Sequence, residues 1–200
     1  MGIDLEKIRN HKLSIIGLND ISRSSVVITL LERDHGYDLL FEVRSSKISD
    51  QPGDICLPGG RIEPDESSKQ AAIREMCEEL LVQESQIELI GRMDIFHTEN
   101  AVIYPYVAVL HDYHGSFSYD EVEKVFAVPY EFFESHEPEV YDVNFVPVLG
   151  DNFPYDRING GRNYPWRKRV THELFYQYED HTIWGITARI INAFVKCQND

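Results

Sequence analysis

Glu66, Arg74, Glu75, Glu78 and Glu79 stand behind a glycine turn in the run Gly60-Arg61-Ile62-Glu63-Pro64-Asp65-Glu66, seven residues, Arg74-Glu75-Met76-Cys77-Glu78-Glu79. At roughly 100° per helical residue, Glu75, Glu78 and Glu79 fall within one narrow arc, and Ile73, Met76, Cys77 and Leu80 fall on the opposite side. Hard oxygen ligands this close repel one another unless a divalent cation sits among them. Mg²⁺ favours a few carboxylates together with water and a substrate's own phosphate oxygens. The run therefore reads as a site for phosphate chemistry, with a metal expected among Glu75, Glu78 and Glu79. The competing reading is a solvated acidic helix face. Against it, the carboxylates do not alternate with lysines, and the helix follows Leu57-Pro58-Gly59-Gly60, where Gly59 and Gly60 let backbone approach a ligand closely.

The fixed positions from Gly60 to Glu79 resemble the Nudix box, which spans 60–82 here. Where the usual box has glycine after the last glutamate pair, this chain has Leu81. Just upstream, over 40–60, Leu40-Phe41-Glu42-Val43-Arg44-Ser45, Gly53 and Leu57-Pro58-Gly59-Gly60 resemble the motif that accompanies the box in coenzyme A pyrophosphatases. Phe41-Glu42, Ser49 and Leu57 depart from it. Because a basic residue is missing at Ser49, a ligand phosphate there would fall to Lys47 or to a residue further along. Ile183 to Ile190 is similar to the end of those enzymes.

The resemblance implies a Mg²⁺- or Mn²⁺-dependent hydrolase that cleaves the pyrophosphate of coenzyme A or acyl-coenzyme A, giving 3′,5′-ADP and 4′-phosphopantetheine or its acyl form. It implies Glu75, Glu78 and Glu79 as metal ligands, with Arg74 orienting them. Glu66, expected early in the helix, would ligate through water or face the helix N-terminus. The general base is a box glutamate or Glu121, in Asp120-Glu121-Val122. Arg44, Ser45, Lys47, Gly59 and Gly60 are the expected substrate contacts. Two rivals remain: a Nudix hydrolase of another nucleoside diphosphate derivative, such as ADP-ribose or a dinucleoside polyphosphate, and a non-catalytic Nudix-like binding module. Intact box charges argue against the second.

To position these residues the sequence offers strands at Val26–Leu31 and Leu39–Val43 joined at Asp34-His35-Gly36, a pair at Ile87–Phe96 and Ala101–Leu110, and a shorter one at Val122–Val128. A short helix is expected over Tyr130–Ser135, strands at Val140–Val148 and Val170–Tyr178, and a closing helix from about Thr187 to Val195 with Ile190, Ile191 and Phe194 inward. Strands around two main helices imply an α/β/α sandwich with a mixed sheet in a single domain over 1–200. Between Gly150 and Lys168, Phe153, Tyr155, Tyr164 and Trp166 alternate with arginines, a loop suited to stacking a base and forking a phosphate, to covering the core, or to a dimer contact. His111 and His114 read as solvated turn residues, and His97 as a candidate ligand contact near the substrate mouth.

Composition narrows the partners. A formal charge of −15 over 200 residues excludes a basic nucleic-acid footprint, and a small anionic substrate must be drawn in by local arginines and the metal. Cys56, Cys77 and Cys197 have no paired spacing, which points to a reducing compartment. Apolar runs are strand-sized, so no membrane association is expected and the cytoplasm is the default. A monomer or a homodimer fits equally.

Overall fold

The computed structural model describes residues 3–12, 17 and 21–199. In chain order the elements are α1 (Leu5–Arg9), β1 (Ser22–Arg33), β2 (Gly36–Arg44), β3 (Ile55–Cys56), β4 (Gly59–Arg61), α2 (Ser68–Leu80), β5 (Ile87–Arg92), β6 (Phe96–His97), β7 (Ala101–Leu110), β8 (Val122–Pro129), α3 (Tyr130–Ser135), β9 (Glu139–Phe145), β10 (Arg169–Tyr178), β11 (His181–Trp184) and α4 (Gly185–Asn199). They gather into two compact units, Met1–Leu30 with Pro58–Ser118 and Leu31–Leu57 with Tyr119–Asp200.

In the first unit, β1 runs parallel to β7, with Ser22 beside Ala101 and Leu30 beside Val109. β4 pairs antiparallel with β1, and β5 and β6 pair antiparallel with β7. The expected mixed sheet is thus present. β7 is buried along nearly its whole length, as a central strand covered on both faces must be. The expected single strand over Ile87–Phe96 is two, because β5 slips register between Leu89 and Gly91 and ends at Arg92 before β6 resumes pairing. A bulge bends a strand and ends its ladder.

Helix α2 begins with a capping box: the Ser67 hydroxyl accepts the Gln70 amide while the Gln70 side chain accepts the Ser67 amide. Those bonds satisfy two of the donors that a helix start leaves open. Its N-terminus is locked to the strands beneath, since the Ser25 hydroxyl donates to the Ser68 carbonyl at 2.7 Å and the Ser68 and Tyr106 hydroxyls meet at 2.8 Å. Ala71, Ala72, Met76 and Leu80 are fully buried. Removing four such side chains from water accounts for much of the helix's hold on the sheet.

In the second unit, β2 pairs antiparallel with β3 and β8, and β10 is flanked by β9 and β11. Phe132 and Phe133 of α3 meet Tyr176 edge-on, and the Tyr176 hydroxyl reaches Asn192 of α4, so one face of the three-stranded sheet is closed by helices. Helix α4 spans Gly185–Asn199, longer at both ends than expected, and buries Ile190, Ile191 and Phe194 as the periodicity required. The segment from Gly150 to Lys168 carries two short 3₁₀ turns, Tyr155–Arg157 and Gly161–Asn163. Its aromatics pack on one another, with Trp166 against Phe153 and Tyr164, and the Arg162 guanidinium 4.4 Å from the Tyr155 ring centre.

Candidate active site

The two glycines ahead of α2 are fixed by what surrounds them. Gly59 has φ 147°, and a Cβ there would collide with the Ser25 carbonyl and the Val26 backbone. A Cβ on Gly60 would occupy the space of the Glu75 carboxylate. Each position therefore excludes a side chain so that backbone and carboxylate can share one narrow volume. The Gly59 amide donates to Glu79 Oε2 at 2.7 Å, which orients that carboxylate.

Arg74 organises the remaining acids. Its Nε and Nη2 grip Glu66 at 3.0 and 3.1 Å, its Nη1 donates to Glu75 Oε1 at 2.9 Å and to Glu78 Oε2 at 3.0 Å, and Nη2 also reaches the Arg61 carbonyl at 3.1 Å. The Arg74–Glu78 contact joins residues one helical turn apart. Glu66 lies one residue before the Ser67 cap, outside the helix, and serves as a bidentate anchor for the guanidinium. That hydrogen bond holds the Glu66 carboxyl below its usual range, and the same bond raises the Arg74 guanidinium.

One expectation needs correction. The charged arc does not point away from the core: Glu75 and Glu79 are 9% and 4% exposed, while Ile73 and Cys77 are only half-buried. Ligand oxygens of Glu75 and Glu79 lie within 4.8 Å of each other. Glu78 is exposed and tied to Arg74. Four carboxylates against one guanidinium leave the cluster about three charges negative, and buried like charges at this spacing call for a cation. The donor set, all hard oxygen, fits Mg²⁺ or Mn²⁺. Burial also lifts the Cys77 thiol, helped by Glu84 and Glu78, so it sits inert beside the site.

The remaining expected contacts lie in the second unit. Ser45 is buried, its amide donates to the Glu121 carbonyl at 2.8 Å, and its hydroxyl accepts the Lys47 amide at 3.3 Å. Glu121 itself is exposed just before β8. The Lys47 ammonium donates to the Tyr119 carbonyl at 3.0 Å with Asp120 at 3.8 Å. Arg44 closes β2, donates from Nε to the Asp50 carbonyl at 3.0 Å, and lines a cavity of about 210 Å³ with Cys56, Glu173 and Trp184. Glu173 and Trp184 had no signal in the sequence as cavity residues, because β10 and β11 lie more than a hundred residues beyond Arg44 and only the folded chain brings them beside it. His111 pairs with Glu88 at 2.9 Å, and His97 is exposed in β6.

Residues 22–148 match the family profile described as NUDIX domain. The chain belongs to the Nudix family. Among Nudix relatives, the mouse protein named peroxisomal coenzyme A diphosphatase NUDT7 is 33% identical over 135 residues, covering 66% of this chain and 56% of that protein. Nudix hydrolase 15, mitochondrial, of Arabidopsis thaliana is 28% identical over 177 residues, covering 84% of this chain and 56% of the relative. The chain thus spans a little over half the length of these curated relatives. A crystal structure of a MutT/nudix family protein from Enterococcus faecalis superposes with a TM-score of 0.53 at 16% identity, covering 98% of this chain and 68% of that one, which supports the Nudix fold. Among the described residues no helix is long and apolar enough to cross a membrane.

Proposed function

We propose that the chain hydrolyses the pyrophosphate of coenzyme A or an acyl-coenzyme A, using a divalent cation held by Glu75, Glu79 and Glu78. The observation that carries this reading is the buried Glu75–Glu79 pair, set by the Gly59 amide and Arg74, at the end of a stretch that retains the coenzyme A-type motif. The likeness to a protein named a coenzyme A diphosphatase supports the same substrate.

Mg²⁺ or Mn²⁺, when bound, supplies charge neutralisation at the phosphate oxygens. The chain's own residues do the positioning. Gly59 and Arg74 hold two carboxylates in place before substrate arrives, so little reorganisation remains for the reaction itself. A carboxylate of the box, or Glu121, takes a proton from the attacking water as its oxygen bonds to phosphorus and the bridging P–O bond breaks. The products are 3′,5′-ADP and 4′-phosphopantetheine or its acyl form. Arg44 reads the 3′-phosphate.

Turnover of a panel of nucleoside diphosphate derivatives, with products identified, tests the reading. Coenzyme A is expected to be cleaved about tenfold to a hundredfold better in kcat/KM than dephospho-coenzyme A, since a guanidinium left without its phosphate loses a charge-assisted contact. Glu79→Gln is expected to be inactive at any Mg²⁺ concentration. Retained activity in that variant defeats the metal assignment. The departure at Ser49 favours a second reading, hydrolysis of ADP-ribose or a dinucleoside polyphosphate, and a higher kcat/KM on either would move the assignment there.

A further inference from the structure

Strand alternation gives the β9–β10–β11 sheet two unlike faces. Tyr176 points to α3 and α4 and is buried there. Tyr141, Phe175 and Trp184 form a row of rings on the other face, Phe175 stacked on Trp184 at 5.6 Å and Tyr141 edge-on to Phe175 at 5.4 Å. Tyr141 and Trp184 stay 54% and 42% exposed. Register sets carboxylates among the rings: Glu139, Phe175 and Trp184 stand abreast, and Glu173 is paired with Tyr141. Together they wall a cavity of about 440 Å³ whose charged lining residues are Glu139 and Glu173. At the other end of β9 the Arg169 guanidinium already lies 4.6 Å from the centre of the Phe145 ring. The face suits a guanidinium or an ammonium, which gains from rings and carboxylates at once.

The chain carries such groups itself. Arg157, Arg162, Arg167, Lys168 and Arg169 are five of its 19 basic residues, gathered in the segment from Gly150 to Arg169, where Asp151 and Asp156 are the only acids. All five are exposed, and among the described residues no carboxylate pairs with Arg157, Arg162, Arg167 or Lys168. Tyr164 and Trp166 beside them are exposed too. A chain of charge −15 repels its own copy, so self-association needs a local match of opposite signs, and the loop and the face offer one. The loop joins β9 to β10 at Phe145 and Arg169, so its root lies six residues, about 20 Å, from Glu139 along β9. A two-fold axis across the strands runs the partner's strands antiparallel. It sets the loop end of each copy against the Glu139 end of the other, and so makes the contact twice.

We propose that two copies of this chain associate through the exposed face of the three-stranded sheet, the basic loop of each lying on the rings and carboxylates of the other. Arginine stems cover Tyr141 and Trp184 while their guanidinium groups meet Glu139 and Glu173. The contact uses none of the residues assigned to the metal, and it stands or falls independently of the proposed reaction.

Sedimentation velocity over about 1–100 μM protein, the range of micromolar association, tests it. A dimer is expected, with a dissociation constant that rises at least about tenfold between low salt and about 0.5 M NaCl, since exposed ion pairs are screened. The chain's two tryptophans, Trp166 on the loop and Trp184 on the face, give a second readout, because their emission shifts to the blue as the dimer covers them. Glu139→Lys/Glu173→Lys reverses the face and Arg167→Glu/Lys168→Glu reverses part of the loop. Each variant alone is expected to be monomeric, with circular dichroism checking the fold. Glu139→Lys alone, at an exposed position, raises the dissociation constant at least about fivefold and stands in if the double variant misfolds. Mixed in equal amounts, the face variant and the loop variant are expected to pair, because each altered surface then meets its complement while the two unaltered surfaces meet each other. A parent that stays monomeric at low salt leaves the face to a foreign partner and overturns the inference. So does a dimer that both variants retain, or a pair of monomeric variants that fail to associate when mixed.

Discussion

Replacing Arg74 by glutamine removes five hydrogen bonds from one side chain and leaves the carboxylates it serves facing each other. Charge-assisted bonds are worth about 1.5–3 kcal/mol each, but bonds that share one guanidinium do not add. The larger consequence is at Glu75, whose side chain is 12% exposed and would lose its cation. Breaking a buried pair by deleting one partner costs about 3–5 kcal/mol, and the guanidinium's 26% exposure lowers that through solvent screening. A loss of about 2–3 kcal/mol at pH 7 is expected from urea unfolding. The sign of the pH dependence follows from Glu66. Its folded pKa is depressed, chiefly by the Arg74 hydrogen bond, so this stabilisation is present above the unfolded value of about 4.3 and is lost as pH falls through the folded value. The gap between parent and variant should therefore be full at pH 7 and shrink below about pH 4. Mg²⁺ should narrow it at pH 7, because a bound cation does part of what Arg74 did. A variant within about 0.5 kcal/mol of the parent at pH 7, or a gap unchanged in acid, would sink the account of Arg74 as the organiser of the cluster.

Leu81 caps α2 in the left-handed region at φ 52°, the place where the usual box has glycine, and is 60% exposed. Leu81→Gly should raise stability by about 0.5–1 kcal/mol, read as a rise of about 1–4 °C in Tm; a lower Tm would show that the Leu81 side chain does more than tolerate its backbone. Gly60→Ala pushes a methyl into the Glu75 carboxylate, so kcat should fall on the order of a hundredfold with a raised Mg²⁺ requirement, and unchanged kinetics would contradict that packing. Burial pushes the Tyr176 hydroxyl up to about 12, so the unfolded chain ionises first: stability is full below pH 10 and declines by about 2–3 kcal/mol as pH rises to 12. Tyr176→Phe should flatten that alkaline decline in denaturant titrations, and an identical decline would place its cause elsewhere.

The helix that carries the acids was legible because its spacing is periodic and its start is marked by Ser67 and Gln70, residues whose side chains close a helix end. The mixed sheet was legible from runs of apolar residues. Burial of Glu75 and Glu79 was not, since periodicity reports which residues share a face and not what packs on it; Gly59 and Gly60 admit those carboxylates only once β4 has paired with β1. That pairing was read as a turn, because glycine signals a turn locally and its partner lies more than thirty residues upstream. The aromatic row of β9, β10 and β11 was hidden for a similar reason. Val140–Val148 was legible as a strand, but not that Val140 and Tyr141 stay exposed on it. Trp184, at the end of β11, is 42% exposed.

The parallel pairing of β1 with β7 also sets when the site can exist. Synthesis delivers β1, β4 and the whole of α2 well before β7, yet β4 is held in place by a strand whose long partner begins only at Ala101. Parallel pairs must close a long loop before any contact repays it. The box is therefore translated early and assembled late. A ribosome-bound chain in which Ala101 is still inside the exit tunnel carries every acid of the cluster without the Gly59 amide in position for Glu79, and should retain Mn²⁺ no better than an unfolded peptide. One extended until Leu110 has emerged should acquire that affinity in a single step.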